Sequence, residues 1–361
     1  MTDIAFRYLI RGKMTSKQSI AREVDHEHSD FHFYEGRHLM KTFNNILVAT
    51  DTRLDAHPIL DEAVRLAQCN EASLKIVDVV PEFPWTARLM IKEHGGLREL
   101  LGSDIQVRLD ALASPIREMG IDVETKVLWG KTSVEIIREV LRGQHDLVLR
   151  VAKGLDSRQK DLFGATGRRL LRDCPCAVWL VAAAETPAYK HVMGCIDVST
   201  GHELDAELND KVYDLASAIG YQHQARTSIV HAWGMEFEQF LERRIARQDF
   251  DEMLIQRREH IEGLFDEFLE SHGRERSGPD THLLKDDPAY AIPSFAREQG
   301  VDLIVMGTVA RSGLMGLMIG NTAERILGDI NCSVLAVKPD SFVCPITECE
   351  YVDPLASFST M

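Results

Sequence analysis

The sequence contains an internal duplication, and this feature limits the fold more than any other. A short apolar run ends at Asp51, and a second such run ends at Asp197, 146 residues later. Further along the chain the spacing between matching residues becomes 156, which leaves about ten extra residues in the second copy. The pairs at this spacing are Asp146 and Asp302, Leu147 and Leu303, Gly164 and Gly320, Thr166 and Thr322, Arg169 and Arg325, Asp173 and Asp329, and Cys176 and Cys332. A repeat this long is a whole domain, so we expect two domains of one fold.

Apolar runs alternate with stretches of helical periodicity in both copies. Strands are predicted at 46–50, 74–80, 123–128, 147–151 and 177–182, and again at 191–196, 303–306 and 333–338. Helices are predicted between them, for example at 58–68, 134–141 and 166–171. This alternation is typical of a parallel sheet covered by helices on both faces, so the predicted fold class is α/β.

A glycine-dotted loop lies in the stretch 303–327. The apolar run ends at Gly307, and Asn321 occupies the place of a helix cap before Ala323. Glycines allow a backbone to approach a ligand, and a helix N-terminus offers N–H donors and positive dipole to an anion. The loop therefore predicts phosphate binding, with a strand-to-helix crossover that holds no ligand as the alternative.

This loop resembles the nucleotide-binding motif of the universal stress protein family, G-x-x-G-x9-G-[ST]. Its four positions fall on Gly307, Ala310, Gly320 and Asn321, so two of the four depart from the motif. The resemblance extends over residues 40–345 and is strongest to the tandem two-domain members. It implies two tandem doubly wound five-stranded parallel sheets of order 3-2-1-4-5, the adenine nucleotide alpha hydrolase-like fold.

The resemblance also implies a division of the chain. We expect a flexible extension at 1–39, one universal stress protein domain at 40–185, a second at 186–340, and a C-terminal tail at 341–361. The two domains are expected to pair as an intramolecular pseudo-dimer, with the fifth strands, 177–182 and 333–338, edge to edge. The extra residues of the second copy are expected in the highly charged segment 235–271, which predicts a long amphipathic helix or helix pair.

The second copy is the better candidate for a ligand site. In nucleotide-binding family members the aspartate that ends strand one contacts the adenine and ribose end, which makes Asp197 a candidate, although such an aspartate also caps turns. Ala310 adds a methyl group, and Asn321 replaces the motif's hydroxyl residue but keeps an amide donor. The full candidate set is Asp197, Val198, Met306, Gly307, Ala310, Arg311, Gly320, Asn321 and Thr322.

The first copy is a weaker candidate. Val151 stands at the first glycine position, where a branched side chain blocks the approach of a phosphate, and Ala165 removes the final hydroxyl. Lys153, Arg158 and Lys160 make this loop cationic, so a weakly held anion is the expectation. The remaining candidates are Asp51, Gly154, Gly164 and Thr166.

Charge and composition exclude several classes of function. A net charge of −15 argues against non-specific binding to nucleic acid or to anionic membranes. Without a membrane-spanning run or a signal peptide, the expected location is the cytoplasm. Seven cysteines predict free thiols, and core packing is favoured over a metal site for Cys174 and Cys176. The histidine run at 25–32 is expected to be a solvated tail and not a metal site.

Three functions stay open at this point. The first is a protein that senses ATP or a related nucleotide through its second domain, with a stress-response role implied by the resemblance. The second is a protein that encloses an apolar ligand behind Leu314, Met315, Leu317 and Met318. The third is a weak ATP hydrolase, which is disfavoured because no acid/base pair, nucleophile or metal cluster stands out. ATP is the one candidate cofactor. The sequence leaves open whether the chain also forms a homodimer.

Overall fold

The computed structural model describes residues 42–81, 94–152, 162–182, 188–199, 203–235, 238–308 and 320–348. The first half contains β1 (Asn45–Thr50), α1 (Pro58–Asn70), β2 (Ser73–Val80), α2 (His94–Glu118), β3 (Val123–Trp129), α3 (Thr132–Gly143), β4 (Leu147–Val151), α4 (Gly164–Asp173) and β5 (Ala177–Val181). The second half contains β6 (His191–Ile196), α5 (Glu203–His223), β7 (Arg226–Trp233), α6 (Glu238–Glu242), α7 (Arg247–Ser271), β8 (Thr281–Lys285), α8 (Pro288–Glu298), β9 (Leu303–Gly307), α9 (Asn321–Asp329) and β10 (Ser333–Val337). The predicted extension at 1–39 lies outside the described residues, and the predicted tail at 341–361 is described only to residue 348.

The described strands form one ten-stranded sheet of order β3-β2-β1-β4-β5-β10-β9-β6-β7-β8. Each half has the order 3-2-1-4-5, and all pairings within a half are parallel. The halves meet where β5 and β10 pair in antiparallel fashion, with Trp179 opposite Leu335. The α/β fold with this strand order is therefore confirmed, and so is the edge-to-edge pairing of the fifth strands. Joining them removes two exposed strand edges at once.

Apolar side chains cover both faces of the sheet. One core contains side chains from α1, α2, α5 and α7, and the other contains side chains from α3, α4, α8 and α9. Each core includes residues from both halves, so the apolar interior is continuous across the join. The parallel strands are buried on both faces, which explains why they read as unbroken apolar runs.

The duplicated aspartates have the same structural role in the two halves. Asp146 accepts hydrogen bonds from the backbone N–H groups of Asn44 and Asn45, at 2.6 and 3.1 Å. Asp302 accepts from Lys190 and His191 in the same way, at 2.7 and 2.9 Å. In each half a carboxylate before strand four thus fixes the start of strand one, as a duplicated unit requires.

The extra residues of the second copy lie mainly in a different place from the one predicted. In the strand registers, the offset between equivalent residues is 146 at β1 and β6 (Asn45 and His191), but already 153 at β2 and β7 (Ser73 and Arg226). It reaches 156 at β3 and β8 (Thr125 and Thr281). Seven extra residues therefore precede β7 and only three lie in the region of 235–271. Helix α5 has 21 residues against 13 in α1 and accounts for most of the difference.

The charged segment after β7 forms two helices, as one of the predicted alternatives requires. The short α6 is followed by α7, which has 25 residues. The buried side chains of α7 include Ile261, Phe265 and Leu269, and the last two belong to the core on the α5 face of the sheet. Helix α7 therefore packs on its own sheet by its apolar stripe and leaves its charged face to solvent.

Candidate functional site

A cavity of about 1580 Å³ opens at the carboxyl ends of β6 and β9. These neighbouring strands are the first and fourth of the second half, so the strand order reverses between them. Ligands of doubly wound sheets bind at this point because the helices that follow the two strands diverge there. The apolar residues that line the cavity include Cys195, Ile196, Leu208, Val212, Ala232, Ile292 and Met306.

Most of the candidate residues of the second half line this one cavity. The described candidates among its lining residues are Asp197, Met306, Gly307, Gly320, Asn321 and Thr322. Val198 is half-buried and packs against the core on the α5 face of the sheet instead. Ala310 and Arg311 lie outside the described residues.

Asp197 is held by residues on both sides of it. The Asp197 N–H donates to Asn209 Oδ1 at 2.8 Å, and Asn209 Nδ2 donates to the Asp197 carbonyl oxygen at 2.9 Å. The backbone N–H and the hydroxyl of Ser199 donate to Asp197 Oδ1, at 3.0 and 2.6 Å. The carboxylate thus closes a turn while its half-buried side chain lines the cavity.

Asn209 was not among the residues expected from the sequence. It is 7% exposed and lies near the start of α5, within the part of this helix that α1 lacks. A buried asparagine that pairs with a backbone N–H and a carbonyl at once fixes the end of a strand. The only available signal was a polar residue followed by the apolar positions of an amphipathic helix, which is an ordinary pattern.

The helix that follows the glycine loop begins one residue earlier than predicted. Gly320 is the N-cap and Asn321 is the first helical residue, so the prediction of Asn321 as the cap was wrong. Among the described residues, no side-chain hydrogen bond caps the helix, and the Gly320 N–H donates to the Thr308 carbonyl oxygen at 3.1 Å. The first N–H groups of a helix have no partner within it. The start of α9 therefore presents backbone donors and a positive dipole end beside the cavity.

Gly307 lies directly against the side chain of Leu208. A Cβ atom at this position would lie 2.5 Å from Leu208 Cδ2 and 3.1 Å from Leu208 Cγ. Leu208 belongs to the extended part of α5, so the longer helix and the glycine fit each other. The side chain of a larger residue would displace Leu208 or fill the cavity.

Both signs of charge surround the cavity. Lys285 Nζ lies 3.2 Å from Glu238 Oε1, Arg325 Nη1 lies 2.8 Å from Asp287 Oδ2, and the Arg244 guanidinium stands 5.1 Å from the centre of the Phe240 ring. The cationic lining residues are Arg243, Arg244, Arg257, Lys285 and Arg325, and the acidic ones are Asp197, Asp205, Glu238, Glu242, Asp286 and Asp287. An anion would therefore meet the start of α9 together with rim cations, of which Lys285 and Arg325 are already paired with acidic side chains.

The corresponding crevice of the first half contains its own charged side chains. Arg150 lies beside Ala49 in the register of β4 and β1, and Met306 occupies the same register position beside Cys195. Burial lowers the pKa of Arg150, and the carboxylates of Asp51 and Asp78 oppose that shift. Asp78 is 8% exposed and accepts hydrogen bonds from the N–H and the hydroxyl of Thr52, at 2.8 and 2.7 Å.

Asp51, the candidate equivalent of Asp197, is paired with an arginine. Arg53 Nε donates to Asp51 Oδ1 at 2.7 Å, and Arg53 Nη2 lies 2.5 Å from Asp51 Oδ2. This hydrogen bond holds the pKa of Asp51 below its usual value against the opposing effect of burial. The first crevice is thus charged and internally paired, and nothing in the sequence had singled out Arg150 or Asp78.

The other candidates of the first half do not gather into one site. Gly164 and Thr166 lie in the first turn of α4, where Gly164 has a φ of +60°. The N-cap of this helix is Phe163, which is 1% exposed and packs in the core. Val151 is half-buried against the opposite core, and Gly154 lies outside the described residues.

The described residues were also searched for metal sites and for helices that could span a membrane. They contain no group of three or more His, Cys, Asp or Glu side chains that could hold a metal ion. In the same part of the chain, no helix combines the length and the apolar character needed to cross a membrane. The histidine run at 25–32 lies outside the described residues.

Comparison with known proteins agrees with the duplicated architecture. The profile of the family described as "Universal stress protein family" matches residues 42–182 and again residues 189–338. Universal stress protein E of Photorhabdus laumondii is 30% identical over 319 residues, covering 85% of this chain and 98% of that protein. The protein of the same name from Escherichia coli K12 is 28% identical over 316 residues, with the same two coverages. A functionally unknown protein from Pseudomonas aeruginosa PAO1 has a similar fold, with a TM-score of 0.65, 23% identity, and coverage of 83% of this chain and 94% of that one.

Proposed function

This chain belongs to the universal stress protein family, and from that premise we propose that it binds a small anionic ligand of the adenine nucleotide class in its second half. The observation that carries the proposal is the start of α9, whose N-cap residue Gly320 has no side chain and which lines the same cavity as Asp197. The stress-response role suggested by the family would then operate through occupancy of this cavity. We propose no cofactor other than this ligand.

The chemistry of the walls supports a ligand with an apolar body and an anionic end. Ile196, Val212, Ala232 and Ile292 offer an apolar surface on which a flat base can be buried. Gly320, Asn321 and Thr322 bring helix N–H groups and one hydroxyl to the other end. Asp197 lies at the end of β6 and provides an acceptor for ribose hydroxyls. This division matches the parts of a nucleotide.

Titration calorimetry of the full chain with ATP, ADP and AMP tests the proposal. We expect binding by the wild type, and loss of binding in Asp197→Ala. Asp197→Asn keeps an oxygen for the turn with Ser199 and should weaken binding less than Asp197→Ala. The matched control is Asp51→Asn in the first half, which should leave nucleotide affinity unchanged. Absence of binding in the wild type, or equal losses in the two halves, would contradict the proposal.

The glycine loop gives a second test from the motif alone. Ala310 stands where nucleotide-binding members of the family carry glycine. If this position needs a left-handed backbone, alanine costs on the order of 1 kcal/mol, so Ala310→Gly should strengthen binding by about fivefold. The same titration measures it, and weaker binding by this variant would show that the motif does not apply here.

The apolar lining supports a second candidate, a hydrophobic ligand. Cys195, Leu208 and Met306 line the cavity together with the aliphatic residues named above, and Phe240 at its edge is 56% exposed. Native mass spectrometry of the untreated protein separates the two candidates. A retained lipid-like mass without nucleotide favours the hydrophobic ligand, and a retained nucleotide favours the first proposal.

We propose binding without hydrolysis. The sequence offers no acid/base pair that could activate a water molecule, and nucleotide hydrolysis needs a residue placed for that purpose. Phosphate release should therefore stay at the rate of buffer containing ATP. A rate that rises with protein concentration and falls in Asp197→Ala would overturn this part of the proposal.

A further inference from the structure

Three cysteines and a lysine meet where the two halves join. Cys174-Pro-Cys176 connects α4 to β5, and the two sulfur atoms lie 3.6 Å apart. Lys338 follows β10 of the other half, and Cys344 Sγ donates to the Asp173 carbonyl oxygen at 3.2 Å. None of these residues lines the cavity of the second half, so the candidate ligand site does not account for them.

The Lys338 ammonium is fixed beside the first of the two cysteines. Its Nζ donates to the carbonyl oxygens of Cys174 and Arg172, at 2.5 and 3.1 Å, and its residue is 7% exposed. Burial lowers the pKa of Lys338 to about 8, which still leaves it mostly charged at neutral pH. A buried cation held at the backbone of Cys174 favours the thiolate form of that residue.

The two thiols differ in acidity because of this arrangement. Burial alone would raise the pKa of Cys174, but the hydrogen bond with Cys176 and the charge of Lys338 outweigh it, and the pKa is lowered. Burial and the neighbouring Cys174 raise the pKa of Cys176 well above its usual value. Cys174 is therefore the better candidate for the nucleophile, because the Lys338 ammonium is held at its backbone.

We propose that Cys174 and Cys176 form a redox-active dithiol, which a peroxide converts to an intramolecular disulfide. The Cys174 thiolate attacks one oxygen of hydrogen peroxide, giving a sulfenic acid and a hydroxide ion, which takes a proton to become water. The sulfur of Cys176 then displaces the sulfenic hydroxyl group, which leaves as a second water with the Cys176 proton. Two thiols lose two electrons in total, and the peroxide gains them. Cys174 is fully buried, whereas Pro175 and Cys176 are half-buried, so a small oxidant has to reach the Cys174 sulfur past these two residues.

The second half provides an internal comparison for this pair. Cys332 occupies the position of Cys176 in the duplicated sequence, but Ile330 stands where Cys174 would be. Burial raises the pKa of Cys332 to about 12, so it is a poor nucleophile without a sulfur at the paired position. Cys69 is exposed and lies in α1, far from Cys174 in the sequence. Its oxidation therefore reports the reactivity of an ordinary exposed thiol.

Peptide mapping of the full chain tests the proposal directly. The protein is treated with hydrogen peroxide, its remaining thiols are alkylated, and the peptides are identified by mass. We expect loss of the Cys174 and Cys176 thiols together, a disulfide between them without added oxygen, and full recovery on reduction with dithiothreitol. The proposal would be overturned if Cys174 and Cys176 both remain reduced, and are therefore alkylated, at a peroxide dose that oxidises Cys69. A disulfide from Cys174 to Cys344 would overturn it as well.

Two variants separate the pair from general oxidation. Cys176→Ser should abolish the disulfide and leave Cys174 as a sulfenic acid, which dimedone labels. Cys332→Ser is the matched control and should form the disulfide to the wild-type extent. A disulfide-free product in Cys332→Ser would contradict the assignment. Should Cys176→Ser fail to fold, the mapping of the wild type decides the question by itself.

Discussion

The crevices of the two halves have the same position in the sheet and opposite contents. In the first, Arg150 lies beside the end of β1, and Asp78 stands opposite Thr50 in the register of β1 and β2. In the second, the equivalent positions hold Met306 and His231. His231 is 1% exposed, and burial lowers its pKa to about 4, so it is uncharged at neutral pH. At these two strand positions the first crevice therefore contains a half-buried cation and a buried carboxylate, and the second contains neutral side chains.

The comparison shows what a duplication allows. One half keeps an internally paired crevice, while the other combines neutral strand residues with a longer α5 and a glycine at position 307. Leu208 and Asn209 come from that longer helix, and they contact Gly307 and Asp197 respectively. The cavity of the second half thus depends on the glycine motif together with the neutral strand residues and the longer α5 that the first half lacks.

The largest effect on stability is expected when Arg150 of the first half is replaced by methionine, the residue at the equivalent position of the second half. Arg150→Met removes the half-buried cation near Asp51 and Asp78, and leaving the buried Asp78 carboxylate without it should lower the unfolding free energy by about 3 kcal/mol. Urea unfolding monitored by circular dichroism measures it. Met306→Leu is the control in the second half and should cost less than about 1.5 kcal/mol, as volume-conserving exchanges do. Similar losses for the two variants would remove the contrast between the crevices.

The next effect is expected from the reverse exchange at the glycine loop. Gly307→Val copies Val151 of the first half and forces a side chain against Leu208, so we expect a loss of about 2 kcal/mol from overpacking. Leu208→Ala in the same chain should recover part of this loss, a coupling of about 1 kcal/mol in a double-mutant cycle. Additive losses would mean that Leu208 is not the obstacle.

A smaller effect is expected from the contact that holds Asp197. Asn209→Ala leaves the Asp197 N–H and carbonyl groups without their side-chain partner, and we expect a loss of about 1 kcal/mol. The same unfolding experiment measures it, and nucleotide affinity should fall as well because the end of β6 is released. Unchanged stability would show that water replaces the asparagine at no cost.

The smallest effect is expected at the surface of the first crevice. Arg53 is 81% exposed on its side chain, so its ion pair with Asp51 is screened by solvent. Exposed pairs contribute little, and Arg53→Ala should change the unfolding free energy by less than about 0.5 kcal/mol. A loss as large as that of Arg150→Met would mean that the charges of the first crevice act as one network.

The apolar runs predicted eight of the ten described strands, because strands buried on both faces stand out as such runs, whereas β7 and β8 were not located from the sequence. The runs at 46–50, 147–151 and 191–196 agree with the observed strands to within one residue, since a short apolar run between turn residues is typical of a fully buried strand. The duplication also predicted that Asp146 and Asp302 are equivalent positions, and in the structure both carboxylates accept hydrogen bonds from the start of strand one. The candidates Asp197, Gly307 and Gly320 were found through the motif, and their ligand stays a prediction.

The side chains that line the two crevices could not be predicted from the sequence in this way. Arg150 sits in an apolar run, and its contact with the end of β1 depends on a strand pairing between residues about a hundred positions apart. The extra residues were assigned to 235–271 because that segment is conspicuously charged, whereas the longer α5 continues a regular helical pattern without any turn signal. Asn321 was misassigned as a cap because Gly320, which has no side chain, takes that position by backbone geometry alone.

The antiparallel seam between β5 and β10 has a consequence for how the halves can be separated. It turns the carboxyl ends of the two sets of strands in opposite directions, so the Thr308 hydroxyl after β9 reaches the Leu171 carbonyl oxygen of the first half, at 3.5 Å. In return, Ser333 Oγ accepts a hydrogen bond from the Ala182 N–H at 3.0 Å. If the chain were cut between its halves, each fragment would have an unpaired edge strand. Each would also lose the hydrogen bonds that its loop makes with the other half. Such fragments should reassemble with each other in solution, as the parts of a split protein do.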